Sequence, residues 1–256
     1  MLAVQPALAS AGPGAWSLSV PFSAPGRVLP SEPAVAVAPE GRAVVVWQRT
    51  DAARAPLRDV VQLRTRATPT APFRGPRTVS ARRDGTTGPV AAAAAGRRTL
   101  VGWTEDRSVI ALSLPTGPRR PAVARIDEGA GAGVQDLRVA VAPTGLAVAV
   151  WIRSSPAPTL RAAHRDPATG AWSAPSDVGP AGAAHPALAL AGDGSGVLVW
   201  ERPGGLSAAP ILGDGTPAAP AALAGGGGRA PPPRARGDAA RGARGSPPPA
   251  PPPPAP

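Results

Sequence analysis

Histidines are the first residues to test for chemistry, and the chain has two, His164 and His185. His164 and Asp166 could belong to a Ser-His-Asp arrangement, but no nucleophile elbow or equivalent motif accompanies them. Neither histidine has carboxylates at the spacing that metal ligands usually show. The sequence therefore gives no support for a triad or a metal site at either histidine.

Two adjacent acidic pairs, Glu105–Asp106 and Asp127–Glu128, could supply the two carboxylates of a glycosidase. Neighbouring residues on an extended strand point to opposite faces, so neither pair would share a site if it lay in a strand. We interpret both pairs as solvated loop charges. The sequence thus assigns no catalytic, cofactor-binding or metal-binding residue, and it implies no cofactor.

A tryptophan recurs at a nearly fixed interval and marks an internal repeat. Each of four tryptophans ends an apolar run, and successive members are 56, 48 and 49 residues apart: Trp47, Trp103, Trp151 and Trp200. A period in this range indicates one supersecondary unit copied several times. The tryptophans could be sugar-binding platforms, but their equivalent places at the ends of buried runs favour packing between the units.

The residues before each tryptophan predict a β-hairpin. In the first unit, the alternating segment 34–38 is followed by a turn at Pro39-Glu40-Gly41 and a second apolar run to Trp47. Proline fixes φ at the first turn position, and glycine supplies the positive φ that a short hairpin loop requires. The alanines of 91–95 would by themselves favour a helix, but Gly or Pro interrupts the chain too often for stable helices. We therefore predict an all-β fold.

Two further strands complete each unit, which gives the size of a β-propeller blade, four strands in about 50 residues. We place the fourth strand at Gly170–Pro175, whose first four residues occur again at Gly14–Ser17. Because the fourth unit breaks up around Pro217–Pro220, the strand around Trp16 could complete that blade and close a ring of about four blades. The alternative is a fragment of a larger propeller.

Composition divides the chain into three parts. Residues 1–13 are a leader or a truncated signal peptide, although they lack a charged start. Residues 14–224 carry the propeller-like repeats. Residues 225–256 are rich in Gly, Pro and Arg and predict a disordered tail, which is either a linker or a frameshift product. The Arg-Gly-Asp tripeptide at 236–238 is expected by chance in such a tract.

The formal net charge is +11, and every basic residue is an arginine. Lys, Asn, Tyr and Cys are absent, which indicates a GC-rich genome and weakens any inference from arginine to nucleic acid. Because the charge is scattered and no stacking platform accompanies it, we expect no specific nucleic-acid binding. The lack of Cys excludes disulfides and thiolate metal sites, and no apolar run reaches the ~18 residues of a membrane span.

The pattern P-x-V-A-V-x-P-x-G-x-A-x-x-V-W, followed by G-x-W-S-x-P, resembles the secreted sialidase-like propeller repeats of uncharacterised proteins from GC-rich bacteria. It fits Pro33–Trp47, Leu137–Pro175 and Pro186–Trp200 best. The nearest match to the Asp-box of such repeats, Asp166–Trp172, has the wrong spacing. Catalytic sialidases use a Tyr nucleophile, and this chain has no Tyr, so we expect no sialidase activity.

These observations predict a non-catalytic propeller-like binding or scaffold module, secreted or at the cell surface, with an unknown protein or carbohydrate ligand. The alternative is a degenerate, sialidase-like glycoside hydrolase without the Tyr nucleophile. A third hypothesis is a weak arginine-dependent nucleic-acid binder, which would show a salt-dependent affinity for DNA. The first two hypotheses differ in whether acidic residues converge at the central opening of the propeller.

Overall fold

The computed structural model describes residues 28–51, 58–80, 87–105, 107–115, 121–127, 133–154 and 156–225. All the secondary-structure elements in these ranges are β-strands, and they form four antiparallel sheets of four strands each. The all-β, propeller-like architecture predicted from the repeat is therefore confirmed, with one sheet for each unit. Within the same ranges, no helix has the length and hydropathy needed to cross a membrane.

Each sheet is a meander in which every strand pairs with the next strand along the chain. The first sheet contains β1 (Val28–Val37), β2 (Ala43–Asp51), β3 (Arg58–Arg66) and β4 (Arg77–Thr78). The second contains β5 (Thr87–Ala95), β6 (Arg98–Glu105), β7 (Ser108–Leu114) and β8 (Ala122–Asp127). The third contains β9 (Val134–Val141), β10 (Ala147–Arg153), β11 (Thr159–Arg165) and β12 (Ser176–Asp177). The fourth contains β13 (Ala184–Leu190), β14 (Gly196–Arg202), β15 (Gly205–Ile211) and β16 (Ala221–Gly225).

The predicted hairpin turns join the first and second strands of the sheets. Gly41 has φ of 82° and donates its N–H to the carbonyl of Ala38 at 2.8 Å. Gly145 has φ of 100° and makes the same hydrogen bond to Ala142 at 2.9 Å. The alanines of 91–95 lie in β5, where they pair with β6. Pairing with a neighbouring strand therefore overrides the helix propensity of these alanines.

Each first strand carries a bulge near its start, and in three sheets the bulge holds a non-glycine residue with positive φ. Glu32, Asp136 and His185 have φ of 52°, 51° and 49°. The bulge of β5 contains Gly88, where an added Cβ would clash with the hydroxyl of Thr104. A left-handed conformation costs an ordinary L-residue roughly 1 kcal/mol or more. The bulge thus recurs in all four first strands, and in three of them it carries local backbone strain.

We expect the variant His185→Gly to be more stable than His185→Ala by about 1 kcal/mol, because glycine reaches positive φ without a Cβ penalty. The His185 side chain is 68% exposed, so neither variant leaves a cavity. Urea unfolding of both variants measures the difference. The control is Ala189→Gly, at an exposed position within β13. This variant should be less stable than the native protein, because glycine weakens a regular strand. Equal stability of the two His185 variants would contradict strain at the bulge.

Apolar side chains pack between neighbouring sheets rather than in a single centre. One core joins the first and second sheets, another the second and third, and another the third and fourth. Trp103, Trp151 and Trp200 each lie in the core shared with the preceding sheet and are almost fully buried. Packing of these tryptophans between the repeat units is therefore confirmed. Trp47 is also buried.

The first strands of successive sheets lie beside one another, β1 beside β5, β5 beside β9, and β9 beside β13. Their alternating alanines, such as Ala34 and Ala36 of β1, pack against the inter-sheet cores. Small side chains suit the place where several sheets converge. The alanine-rich first strand is therefore the inner strand of each sheet.

Two predictions about the outer strands are wrong. The fourth strand of the third sheet is β12, whereas Trp172 forms only an isolated bridge to Arg165, because the chain first makes a turn closed from Gly170 N–H to Asp166 O at 2.9 Å. The fourth sheet has its own outer strand, β16, which pairs with β15. The strand around Trp16 is therefore not needed to complete that sheet.

Several predicted segments lie outside the described residues. These include the leader at 1–13, the strand around Trp16, and the tail at 225–256 apart from Gly225, which ends β16. The Arg-Gly-Asp tripeptide at 236–238 lies there as well. The predicted boundaries of the three parts remain predictions.

Candidate functional site

His164 and Asp166 do not form the core of a triad. His164 lies on β11 and packs on the turn that follows β15, where a Cβ on Gly215 would be 2.7 Å from His164 Cβ. The Asp166 carboxylate accepts the N–H groups of Ala168 at 2.7 Å and Thr169 at 3.4 Å. These hydrogen bonds, that of Ala168 first, lower the pKa of Asp166. Asp166 therefore stabilises a turn, which is a structural role.

His185 meets an acidic residue of the neighbouring sheet. Its Nδ1 lies 3.7 Å from Oδ2 of Asp136, and Arg138 Nη2 lies 3.7 Å from the other carboxylate oxygen. The bulges of β9 and β13 thus bring two residues with positive φ together at one end of the inner strands. Over the described ranges, however, no group of three His, Asp or Glu side chains is placed to hold a metal ion.

Glu105 and Asp127 are buried, so the prediction that they are solvated loop charges is wrong for both. Glu105 accepts a hydrogen bond from Trp103 Nε1 at 3.1 Å and shares the face that looks toward the first sheet. Asp127 accepts one from Arg161 Nη1 at 2.8 Å, on the face toward the third sheet. The two carboxylates therefore do not converge. Asp106 and Glu128 lie outside the described residues.

A cleft of about 570 Å³ opens between the first and second sheets, at the end where their hairpin turns lie. Arginine dominates its lining, which includes Arg42, Arg66, Arg74, Arg77, Thr99 and Leu114. Among the described residues that line the cleft, none is Asp or Glu. The described lining of the cleft thus carries charge of one sign only. We call it the arginine cleft.

The loop between β3 and β4 brings the arginines together. Its Pro69 ring packs against the β1–β2 turn at Gly41. Any residue with a Cβ at this position would clash with the ring, so the contact requires glycine. Further along, the Arg74 N–H donates to the carbonyl of Thr65 at 2.9 Å and fixes the loop against the end of β3. Arg74 and Arg77 are exposed at the mouth of the cleft. The contact at Gly41 and the loop between β3 and β4 thus place the guanidinium groups of Arg74 and Arg77 together at the cleft mouth.

The other two arginines of the cleft have structural contacts. Arg42 donates to the carbonyls of Gly96 and, at 3.2 Å, Arg98, and so ties the first turn to the second. Burial lowers the pKa of Arg42; Glu40, 3.2 Å away, opposes this shift. The Arg66 guanidinium lies 5.2 Å from the centre of the Phe73 ring, a cation–π distance. Both side chains are therefore held in position before any ligand arrives.

A second cavity, of about 170 Å³, adjoins the arginine cleft and shares the wall formed by Thr99, Leu114 and Pro115. Arg98 and Arg165 line it. Burial, followed by the charge of Arg98, lowers the pKa of Arg165, and the carboxylate of Asp166 opposes this shift. Positive charge therefore extends along the turn ends of three successive sheets, and an anion placed there would be stabilised.

The sequence alone does not predict the arginine cleft. The arginines were interpreted as scattered and as a product of base composition, yet the chain gathers six of them around two adjoining cavities. The only local signal was the density of arginine between Arg64 and Arg77. The other members come from distant turns, and only the stacking of the sheets brings them near.

Comparison with known proteins assigns the chain to no family. No protein-family model matches the chain, and no curated protein sequence matches it. A solved structure of an α-L-arabinofuranosidase from Podospora anserina, in complex with cellotriose, superposes with a TM-score of 0.34 and 9% identity. The match covers 68% of this chain and 83% of that chain. We transfer no residue role or ligand from this match.

Proposed function

We propose that this chain is a non-catalytic binding module of propeller-like architecture whose arginine cleft takes an acidic oligosaccharide. The observation that carries the proposal is a cavity of about 570 Å³ lined by four arginines, with no carboxylate among its described lining residues. A concave site of this volume is in the usual range for ligand pockets. Glu40 balances the charge of Arg42 from 3.2 Å away, but the other three arginines leave the cleft positive. An excess of positive charge in such a site favours an anionic ligand over a neutral one.

Arginine is the side chain best suited to planar anions. Its guanidinium group offers a rigid fork of donors that matches a carboxylate with two parallel hydrogen bonds. Arg74 and Arg77 stand exposed at the cleft mouth, while Arg42 and Arg66 are fixed by their own contacts. Such a combination suits a chain of sugar acids, in which carboxylates recur at intervals along a rigid backbone.

Two observations favour this proposal over the alternatives. Binding of single-stranded nucleic acid relies on stacking of bases on aromatic side chains. Among the described lining residues of the cleft none is aromatic, and the nearby Phe73 ring already lies against the guanidinium group of Arg66. A glycosidase needs two carboxylates around one bond, whereas Glu105 and Asp127 lie on opposite faces of the second sheet. The sialidase-like relationship remains an interpretation of the repeat pattern, and the absence of Tyr argues against that chemistry.

We expect the double variant Arg74→Ala/Arg77→Ala to bind trigalacturonate at least about tenfold more weakly, because two charge-assisted contacts are lost. Isothermal titration calorimetry at low and moderate salt measures the affinity, which should fall as salt rises. The matched control is Arg125→Ala/Arg138→Ala, which removes the same charge from sites outside the cleft lining. Its affinity should stay within about twofold of the native protein.

Three results would contradict the proposal. One is no detectable binding of trigalacturonate by the native chain, and another is equal weakening by the two double variants. The third is tighter, Arg74- and Arg77-dependent binding of a single-stranded oligonucleotide, which would favour the nucleic-acid hypothesis instead. Reduced maltotriose, a neutral sugar of equal length, should show no binding under the same conditions.

A further inference from the structure

Every contact between neighbouring sheets joins two unlike faces. We call the side of each sheet that carries its repeat tryptophan the tryptophan face, and the opposite side the plain face. In the core between the second and third sheets, the tryptophan face of the third, with Trp151, packs on the plain face of the second, with Leu100. The same order holds for Trp103 on Val44 and for Trp200 on Val148. The packing is therefore directional from one end of the array to the other.

The plain face of the fourth sheet has no such partner among the described residues. The residue three places before each tryptophan is the clearest marker of this face. It is 1%, 1% and 0% exposed in the first three sheets, at Val44, Leu100 and Val148, but 44% exposed in the fourth, at Val197. Leu206, which lies on the same face of β15, is 40% exposed. Val197 and Leu206 are thus exposed on a face that the other sheets bury, whereas Ala208 on the same face is 9% exposed.

The tryptophan face of the first sheet is open along β1. Val35 and Val37 pair with Val45 and Ala43, which places them on the side of Trp47. They are 64% and 54% exposed. Their counterparts in the third sheet, Val139 and Val141, pack against the core shared with the second sheet. Trp47 itself is buried, so the open apolar surface of this face is the inner strand.

The two open faces are complementary in type, and the described residues form no apolar core between them. We propose that the plain face of the fourth sheet docks on the tryptophan face of the first sheet of a second copy of this chain. The contact would continue the packing that the chain already repeats between its own sheets, with apolar residues at the positions that are buried elsewhere.

A head-to-tail contact of this kind either closes or continues into a filament. Two copies close when each supplies its fourth sheet to the first sheet of the other, so that the contact is made twice. The closed pair has eight sheets, within the four to eight blades that propellers typically contain. Closure covers the open apolar faces of both copies, whereas a single contact would leave one plain face and one tryptophan face exposed. We therefore infer a dimer rather than a longer assembly.

Variants at each end test the contact. Val197→Glu/Leu206→Glu places charge on the plain face, and Val35→Lys/Val37→Lys places it on the tryptophan face. The four side chains are exposed within one chain, so each sheet should still fold, which circular dichroism checks. Size-exclusion chromatography with light scattering should give a dimer for the native chain and a monomer for each variant alone. An equimolar mixture of the two variants should restore the dimer, since one native contact and one Glu–Lys contact then form.

Any other pattern overturns the proposal. A native chain that is monomeric at all concentrations, or a variant that stays dimeric alone, excludes a contact between these two faces. A mixture that stays monomeric shows that the faces do not pair with each other. The control Val123→Glu, at an exposed valine on β8, should remain dimeric. If it dissociates, added charge rather than the location of the faces governs association.

Discussion

Replacing Trp151 by alanine is expected to lower the free energy of unfolding by about 3–5 kcal/mol, the cost of deleting a large buried aromatic side chain. Trp151 is 0% exposed and lies in the core between the second and third sheets. A loss of this size is a large part of the roughly 5–15 kcal/mol that keeps a domain folded. For a chain of this length, the melting temperature should fall by about 6–20 °C.

Trp172 provides the matched control. It is the same residue type and packs against the same core, but it is only partly buried, at the margin. Trp172→Ala should therefore destabilise the protein by clearly less, about 1–2 kcal/mol. Urea unfolding followed by intrinsic fluorescence compares the variants, and Trp151→Phe should fall between them. Equal losses for the two alanine variants would show that the inter-sheet core does not dominate stability.

Replacing Arg161 by leucine is expected to cost about 3 kcal/mol or more, because it leaves the buried carboxylate of Asp127 without its partner. Arg161 Nη1 is 2.8 Å from Asp127, and its Nε is 3.1 Å from Asp177. It also donates to the carbonyl of Pro175 at 3.1 Å. One guanidinium group therefore joins the second sheet to the third and fixes the segment that leads to β12.

Further variants distinguish the buried Arg161–Asp127 ion pair from the more exposed contact between Arg161 and Asp177. Asp177 is 51% exposed, so Asp177→Asn should cost less than about 1 kcal/mol. The double variant Arg161→Leu/Asp127→Leu should recover much of the loss of Arg161→Leu alone, since no buried charge then stays unpaired. Chemical unfolding of all variants completes a double-mutant cycle. Additive effects of the two leucine substitutions would argue against coupling between the side chains.

The strong sequence signals were those that act over a few residues. A turn such as Pro39-Glu40-Gly41 between two apolar runs predicted the hairpins, and the spacing of the tryptophans predicted the four sheets. The outer strands were misplaced for a physical reason. β4 and β12 are two residues long, and β16 lies in an alanine-rich segment after Pro217–Pro220. Strands this short show no alternation of apolar and polar residues, and they form only because the neighbouring strand offers hydrogen-bond partners.

The arginine cleft could not be predicted in the same way. Arg42, Arg66 and Arg77 belong to different elements, and their distance apart depends on how the sheets stack rather than on local propensity. Composition concealed them as well, because arginine is the sole basic residue throughout the chain. The left-handed residues Asp136 and His185 were equally hidden, since the bulge that imposes their φ arises from strand pairing.

The meander topology has a consequence for how such a chain changes over generations. In the described residues, no sheet borrows a strand from a distant part of the sequence. Each sheet can therefore pair its strands from one continuous segment, without a strand from another part of the chain. Gene duplication that adds a whole unit leaves all existing strand pairs intact. It requires only one new contact between neighbouring sheets. The number of sheets can thus change during evolution, whereas the apolar residues on the two faces of each inter-sheet core must stay compatible with each other.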